Sequence, residues 1–304
     1  MALQKEIWIN SIVEGLLTDN SFASRSINHS AFVNGKTVHI PGAGAPPSVT
    51  KTRASALANL TGLAGRTDTD LTYNMETYFA GPVLIENPET VELSYDKRNS
   101  VLKSLKTALA DKLYADLMLN WIPSGATSVA TSGESIAATA PSATGYRKAL
   151  TKTDIRAIRA QFDKWDIPQT GRCLMLDADM YSQLLAALTE TEANAFLSTA
   201  NAATGMIGKI YGFDIYLRST VFVTTATGGK KAGNAAATDC AAGFAWSSEC
   251  VSVALGNVEI NDNESDAIAF GDILSATVRA GGSYVRQDKK GIVVIYQATA
   301  ANPA

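Results

Sequence analysis

The chain has 304 residues, 26 basic and 29 acidic, for a formal net charge of −3. That balance excludes a strongly basic nucleic-acid binder and an acidic solvating chain, and the length suffices for a core without disulfides or a structural metal. Apolar residues stand at 46%, but charged residues reach only 18% against a usual figure of about 25%, with Ala, Ser, Thr and Gly in their place.

The three cysteines, Cys173, Cys240 and Cys250, form no Cys-x-x-Cys pair. An odd, scattered set argues against a disulfide framework or zinc ribbon and for a reducing compartment. Lys5, Glu6, Glu14 and Asp19 interrupt any secretory core near the N-terminus, and no stretch approaches the roughly 18 apolar residues of a membrane span. A soluble intracellular product is expected.

Residues 3–17 read as a helix, with Trp8, Ile9, Ile12, Val13, Leu16 and Leu17 at helical spacing. Over residues 31–85 a short strand, Thr37 to Ile40, and a second extended run, Leu71 to Ile85, flank a long polar tip. Gly42, Gly44, Pro46 and Pro47 open the tip, and Lys51, Arg53, Arg66, Asp68 and Asp70 give it both signs of charge. Compact domains use loops with a median of about 4–6 residues, so a tip this long is either disordered or ordered by a neighbour. Residues 97–122 carry the clearest helix: Leu102, Leu105, Leu109, Leu113, Leu117 and Trp121 form one stripe, Asp96 offers an N-cap, and Pro123 stops it. Arg98, Lys103 and Lys106 fall outside the stripe, where a solvated face is the default.

Residues 124–149 are rich in Ser, Thr, Ala and Gly and read as a loop or linker. Thr151 and Asp154 stand at capping-box spacing before a stripe of Ile155, Ile158, Phe162 and Trp165. A strand from Arg172 to Leu176 and an Asp177-capped helix bearing Tyr181, Leu184, Leu185 and Leu188 follow. Phe213, Ile215 and Leu217 alternate with Asp214, Tyr216 and Arg218, the pattern of a half-buried strand. After a second small-residue loop over 224–242, strands recur through 244–260 and 272–298, with Asp288-Lys289-Lys290-Gly291 as a hairpin turn between the last two. Strands alternating with helices make this an α+β or α/β arrangement.

Catalytic signatures fail one by one. His29 and His39 are the only histidines, and neither shows the partners of a nucleophile–base pair. There is no Gly-x-Ser-x-Gly elbow. Gly205-Met-Ile-Gly208-Lys209-Ile210 is too short for a phosphate loop and has Ile where a magnesium-binding hydroxyl belongs; Gly42-x-Gly44 meets Pro47 where the third glycine of a dinucleotide fingerprint would stand. The cluster Asn261 to Asp266 lacks the glycine and terminal glutamate of a calcium loop and reads as an exposed acidic loop; Asp177 and Asp179 read as caps. No catalytic residue, cofactor or metal site is assigned.

The order of segments resembles the major capsid proteins of tailed bacteriophages, whose fold is shared with herpesvirus capsids and encapsulin nanocompartments. The matching stretches are Leu150-Thr151-Lys152-Thr153-Asp154-Ile155, Ile167-Pro168-Gln169-Thr170-Gly171-Arg172, Gly208-Lys209-Ile210-Tyr211-Gly212-Phe213-Asp214-Ile215-Tyr216, Gly243-Phe244-Ala245-Trp246 and Gly281-Gly282-Ser283-Tyr284-Val285-Arg286. These stretches lie in the second half of the chain, the order of segments extends the resemblance over nearly the whole chain, and the order of the stretches is more specific than any one of them. The resemblance implies an α+β capsid fold: an N-terminal arm (1–30), an extended β-hairpin loop (31–85), a peripheral domain with a long spine helix and linker (86–150), an axial α/β domain (151–270) and C-terminal strands returning to the peripheral domain (271–304).

It further implies a structural protein, not an enzyme, that self-assembles into pentamers and hexamers of an icosahedral shell around double-stranded DNA. Portal, scaffolding or decoration proteins are implied partners, with assembly in the host cytoplasm and residence in the virion capsid. Lys51, Arg53, Arg66, Asp68 and Asp70 become candidate inter-subunit contacts, and Arg98, Lys103 and Lys106 candidate DNA-facing residues. An encapsulin-like protein compartment is the nearest alternative, and a hydrolase or transferase with a scattered site a distant one. Low charge and many small residues suit a subunit that buries surface on many sides.

Overall fold

The structure, a computed structural model, describes residues 22–33, 36–42, 51, 68–86, 97–201, 205–219, 221–232, 236–266 and 269–302. The expected helix over 3–17, the Asp96 cap and most of the polar tip, Arg53 and Arg66 included, lie outside the described residues. No helix among the described residues is long and apolar enough to cross a membrane.

Two sheets organise the chain. A peripheral sheet has the order β1–β13–β14–β4, from β1 (Ile27–Asn28), β13 (Val251–Asp266), β14 (Gly271–Tyr284) and β4 (Glu76–Glu86). A central sheet of seven strands runs β5 (Thr127–Ala130), β15 (Ile292–Tyr296), β12 (Cys240–Ser247), β8 (Arg172–Asp177), β10 (Phe213–Arg218) and β9 (Gly208–Ile210), with β11 (Phe222–Thr224) also paired to β12. β8 and β10 are parallel. Between them the chain crosses over through two helices, α3 (Ala178–Ala187) and α4 (Glu190–Leu197). Smaller sheets join β2 (Thr37–Gly42) to β3 (Thr69–Asn74), and β6 (Ser135–Ala137) to β7 (Tyr146–Lys148) and β16 (Thr299–Ala300).

The long helix α1 (Lys97–Trp121) has 25 residues, about 37 Å at 1.5 Å per residue. Every leucine of the expected stripe, and Trp121, is buried. Leu102, Leu109 and Leu113 pack on Val258, Ile260, Ala276 and Val278 of the peripheral sheet. At its C-terminal end, Leu117 and Trp121 enter a second core with Phe244, Trp246 and Tyr216 of the central sheet. Gly282 on β14 makes this approach possible, because a side chain there would strike Leu117 and the Ser252 carbonyl. Lys230 donates to the carbonyls of Leu119 (2.9 Å) and Ile122 (2.5 Å), placing a cation at the end of α1 that its dipole favours.

The opposite face of the central sheet is covered by α2 (Lys152–Lys164), α3 and α4 through Ile155, Ile158, Phe162, Met180, Leu184 and Phe196. The Thr151–Asp154 capping box forms as its spacing predicts, with the Thr151 N–H donating to Asp154 at 2.9 Å. Because both faces are covered, β8 and β12 are buried along their whole length. The expected half-buried alternation of β10 therefore breaks: Tyr216 is buried against Trp246, and Leu217 is exposed.

Four further expectations need correction. Residues 124–149 are a loop only in part; they supply the short strands β5, β6 and β7, with turns and bends between them. Their anchor is the buried Arg147, whose guanidinium donates to the carbonyls of Tyr146 (2.9 Å) and Asp239 (3.0 Å). Residues 261–266 are not an acidic loop but the end of β13. Asp288–Gly291 does not close a hairpin, since β14 and β15 belong to different sheets. The boundary expected at 270/271 falls inside the β13–β14 hairpin; the chain leaves the central sheet after Ser247 and re-enters it at Ile292.

Replacing Leu109 or Leu113 with Asp sets an unpaired carboxylate against Val278 and Ile260, at a cost of several kcal/mol. Either variant is expected to be unfolded or insoluble, while Leu109→Ala folds with a loss of about 2–5 kcal/mol in urea titrations. A soluble Asp variant with a native circular-dichroism melt would contradict this packing.

Candidate assembly surface

The β2–β3 hairpin forms its own two-stranded sheet and is held to the peripheral sheet at its root by Val38, Met75 and Ala254. A two-stranded ribbon is marginal alone in water. Across it, the His39 ring nitrogen lies 2.6 Å from the Asp70 carboxylate, with both side chains at least half exposed. Such a pair is worth about 0–1 kcal/mol. Asp70, expected as an inter-subunit contact, thus already has an intrachain partner. Asp68, just before β3, and Lys51, on a bend, are exposed. His39 pairs with Thr72 in the strand register and so sits diagonally from Asp70.

β4 is an edge strand of 11 residues. Tyr78, Ala80, Val83 and Ile85 face the core under α1, while Phe79 and Leu84 are exposed. Phe270, in the turn between β13 and β14, is 75% exposed with φ +53°, a costly conformation for an aromatic residue. Phe32, beside β1, is exposed as well. Among the described residues, only Pro82 and the end glutamates blunt the β4 edge, and no strand pairs with its outer side. Sequence reasoning placed Phe79 in a strand but had no signal for its exposure, because which face α1 covers is a tertiary fact.

Of the three candidate DNA-facing residues, Arg98 already has partners within the chain. Arg98 bonds to Asp262 of β13 and lies 3.5 Å from Asp272 of β14, tying the start of α1 to both strands. Lys103 is exposed, and Lys106 is half-buried. The acidic residues read as a loop supply this anchor, for which the sequence held no local signal, since 164 residues separate Arg98 from Asp262.

Groups able to do chemistry are restrained elsewhere. Burial pushes the Cys173 thiol up to about 12 and raises that of Cys250, which disfavours the reactive thiolates. Burial lowers the pKa of His29. Among the described residues no three His, Cys, Asp or Glu gather to hold a metal ion. Asp177 caps α3 by accepting from the Met180 N–H at 2.6 Å, and burial pushes its pKa up to about 6.

The raised Asp177 pKa sets a pH dependence. Its contribution to stability is complete below its ordinary 3.8 and is lost as pH rises through about 6. The full shift corresponds to roughly 3 kcal/mol at most. Asp177→Asn keeps a capping acceptor and removes the buried charge, so it is expected to unfold at higher urea than the parent at pH 7.5. That gap should close by pH 4, and a gap that widened toward acid would contradict the burial argument.

No family model matches the sequence, and no curated protein matches it. Solved structures do. A chain from Mycobacterium phage Che8 superposes with a TM-score of 0.58 at 18% identity, covering 91% of this chain and 90% of that one. The capsid of cyanophage P-SCSP1u gives 0.60 at 18% identity over 93% and 89%. A virus-like particle from Pyrococcus furiosus gives 0.57 at 9% identity over 96% and 99%. With α1 along the peripheral sheet, a separate β2–β3 hairpin and a central α/β sheet, the chain has the α+β fold of the tailed-phage major capsid proteins.

Proposed function

We propose that this chain is the shell subunit of a phage-type capsid, self-associating into pentamers and hexamers of an icosahedral shell around double-stranded DNA. The observation that carries this reading is the likeness to phage capsid structures over about nine-tenths of both chains. The open β4 edge, the exposed Phe79 and Phe270 and the separate hairpin support it, being surfaces that a second protein covers. Portal, scaffolding or decoration proteins complete the assembly, which forms in the host cytoplasm and resides in the virion. Lys103 and Lys106 offer weak, sequence-independent contacts to packaged DNA. Lys51, Asp68 and Asp70, with Arg53 and Arg66, serve contacts between copies.

A protein-filled compartment of encapsulin type is the second reading, favoured by the likeness to the Pyrococcus furiosus particle over almost the full length of both chains.

Electron microscopy of the expressed protein tests the common part. Closed shells, tubes or rings are expected, and a persistent monomer would overturn the proposal. The absorbance ratio of shells made during infection separates DNA from protein contents. Trypsin should cut after the exposed Lys51 in the free subunit and be excluded from it in shells; equal cleavage in both would remove this segment from the interface.

A further inference from the structure

A cavity of about 300 Å³ opens where the parallel strands β8 and β10 end. Asp177 ends β8 and caps α3, and Ser219 follows β10. Crevices at the carboxyl ends of parallel strands are where open α/β sheets bind ligands. The walls divide by chemistry. Leu119 from α1, with Pro141, Val221 and Phe222, gives an apolar side, and Asp177, Asp179 and Lys231 carry the charges. Lys231 is spent: its ammonium lies 2.9 and 2.8 Å from the two oxygens of the buried Asp239. The charge left over belongs to Asp177, 8% exposed, and Asp179.

We propose that this cavity binds a short alkyl cation, an ammonium or guanidinium head on an apolar stem. The argument is charge and shape together. An anion meets two carboxylates at the one helix N-terminus that would otherwise attract it. A neutral apolar molecule leaves the buried Asp177 without a counter-charge. A cation with a stem of four or five carbons satisfies both walls, and the volume sits at the small end of the roughly 300–1,000 Å³ of ligand pockets. Asp177 accepts from the backbone N–H groups of Met180 and Asp179, and its carboxylate keeps lone pairs for a donor in the cavity. The charged groups facing it are Asp179 from its own helix and Lys231, backed by Asp239, from the opposite wall. The inference is independent of the shell reading. The head group has two sources, a free amine or a Lys or Arg side chain of a second copy.

Calorimetry of the full-length subunit at pH 7.5 tests it with 1,4-diaminobutane, and with 1,4-butanediol as a neutral molecule of the same length. Saturable binding of the diamine, at least tenfold tighter than the diol, is expected. Asp177→Asn and Asp179→Asn should each weaken it several-fold without lowering the thermal midpoint, and Glu134→Gln, an exposed acid outside the cavity, should leave it unchanged. Equal affinity for diol and diamine, no binding, unaltered binding in both Asn variants, or equal weakening by Glu134→Gln would each overturn the proposal. Diamine bound by the free subunit but excluded from shells assigns the head group to a second copy; equal binding by both assigns it to a free amine.

Discussion

The junction at Trp121 is the constraint on which the rest of the molecule depends. Its indole N–H donates to the Ser252 carbonyl of the peripheral sheet at 2.8 Å, and its ring packs on Trp246 and Phe244 of the central sheet and on Phe22. One side chain therefore belongs to both layers. Removing a buried tryptophan typically costs about 3–5 kcal/mol. Here the loss would also free the end of α1 from both sheets. The segment before β1 reinforces the joint. Phe22 and Ala23 are buried in the same core, Trp246 donates to the Arg25 carbonyl at 3.0 Å, and Arg25 donates to the Tyr216 hydroxyl at 2.9 Å.

Around that junction, rigidity and openness are divided unequally. The central sheet is covered on both faces, and beside it the buried Arg147 and Asp239 tie neighbouring segments together. The peripheral sheet is covered on one face by α1 and ends in the β4 edge, with aromatic side chains in solvent. The Arg98 link to Asp262 and Asp272 clamps the far end of α1 without closing that edge.

Much of this was legible in the residues. The leucine stripe of α1, the Thr151–Asp154 box, the Asp177 cap and the strand from Arg172 depend on contacts within a few positions, and each formed where its spacing placed it. The candidate site was read less well. Hairpin strands were visible from their turn residues, but His39 as partner of Asp70 and Arg98 as partner of Asp262 were not. Charge on a helix is a solvated face by default, and only a strand brought in from 164 residues away makes Arg98 an anchor.

By itself, then, the sequence determined the local elements, the absence of a recognisable catalytic motif and, through the order of those elements, the fold class. Periodicity and capping are short-range, so they survive in one chain without any knowledge of its partners. The tertiary structure alone decided that residues 124–149 contribute three short strands, that β14 and β15 part company, and that Tyr216 turns inward while Phe79 and Leu217 turn out. Those outcomes rest on which face of a strand another element covers, and on backbone hydrogen bonds closed by distant segments such as the Arg147 anchor, neither of which leaves a period in the chain.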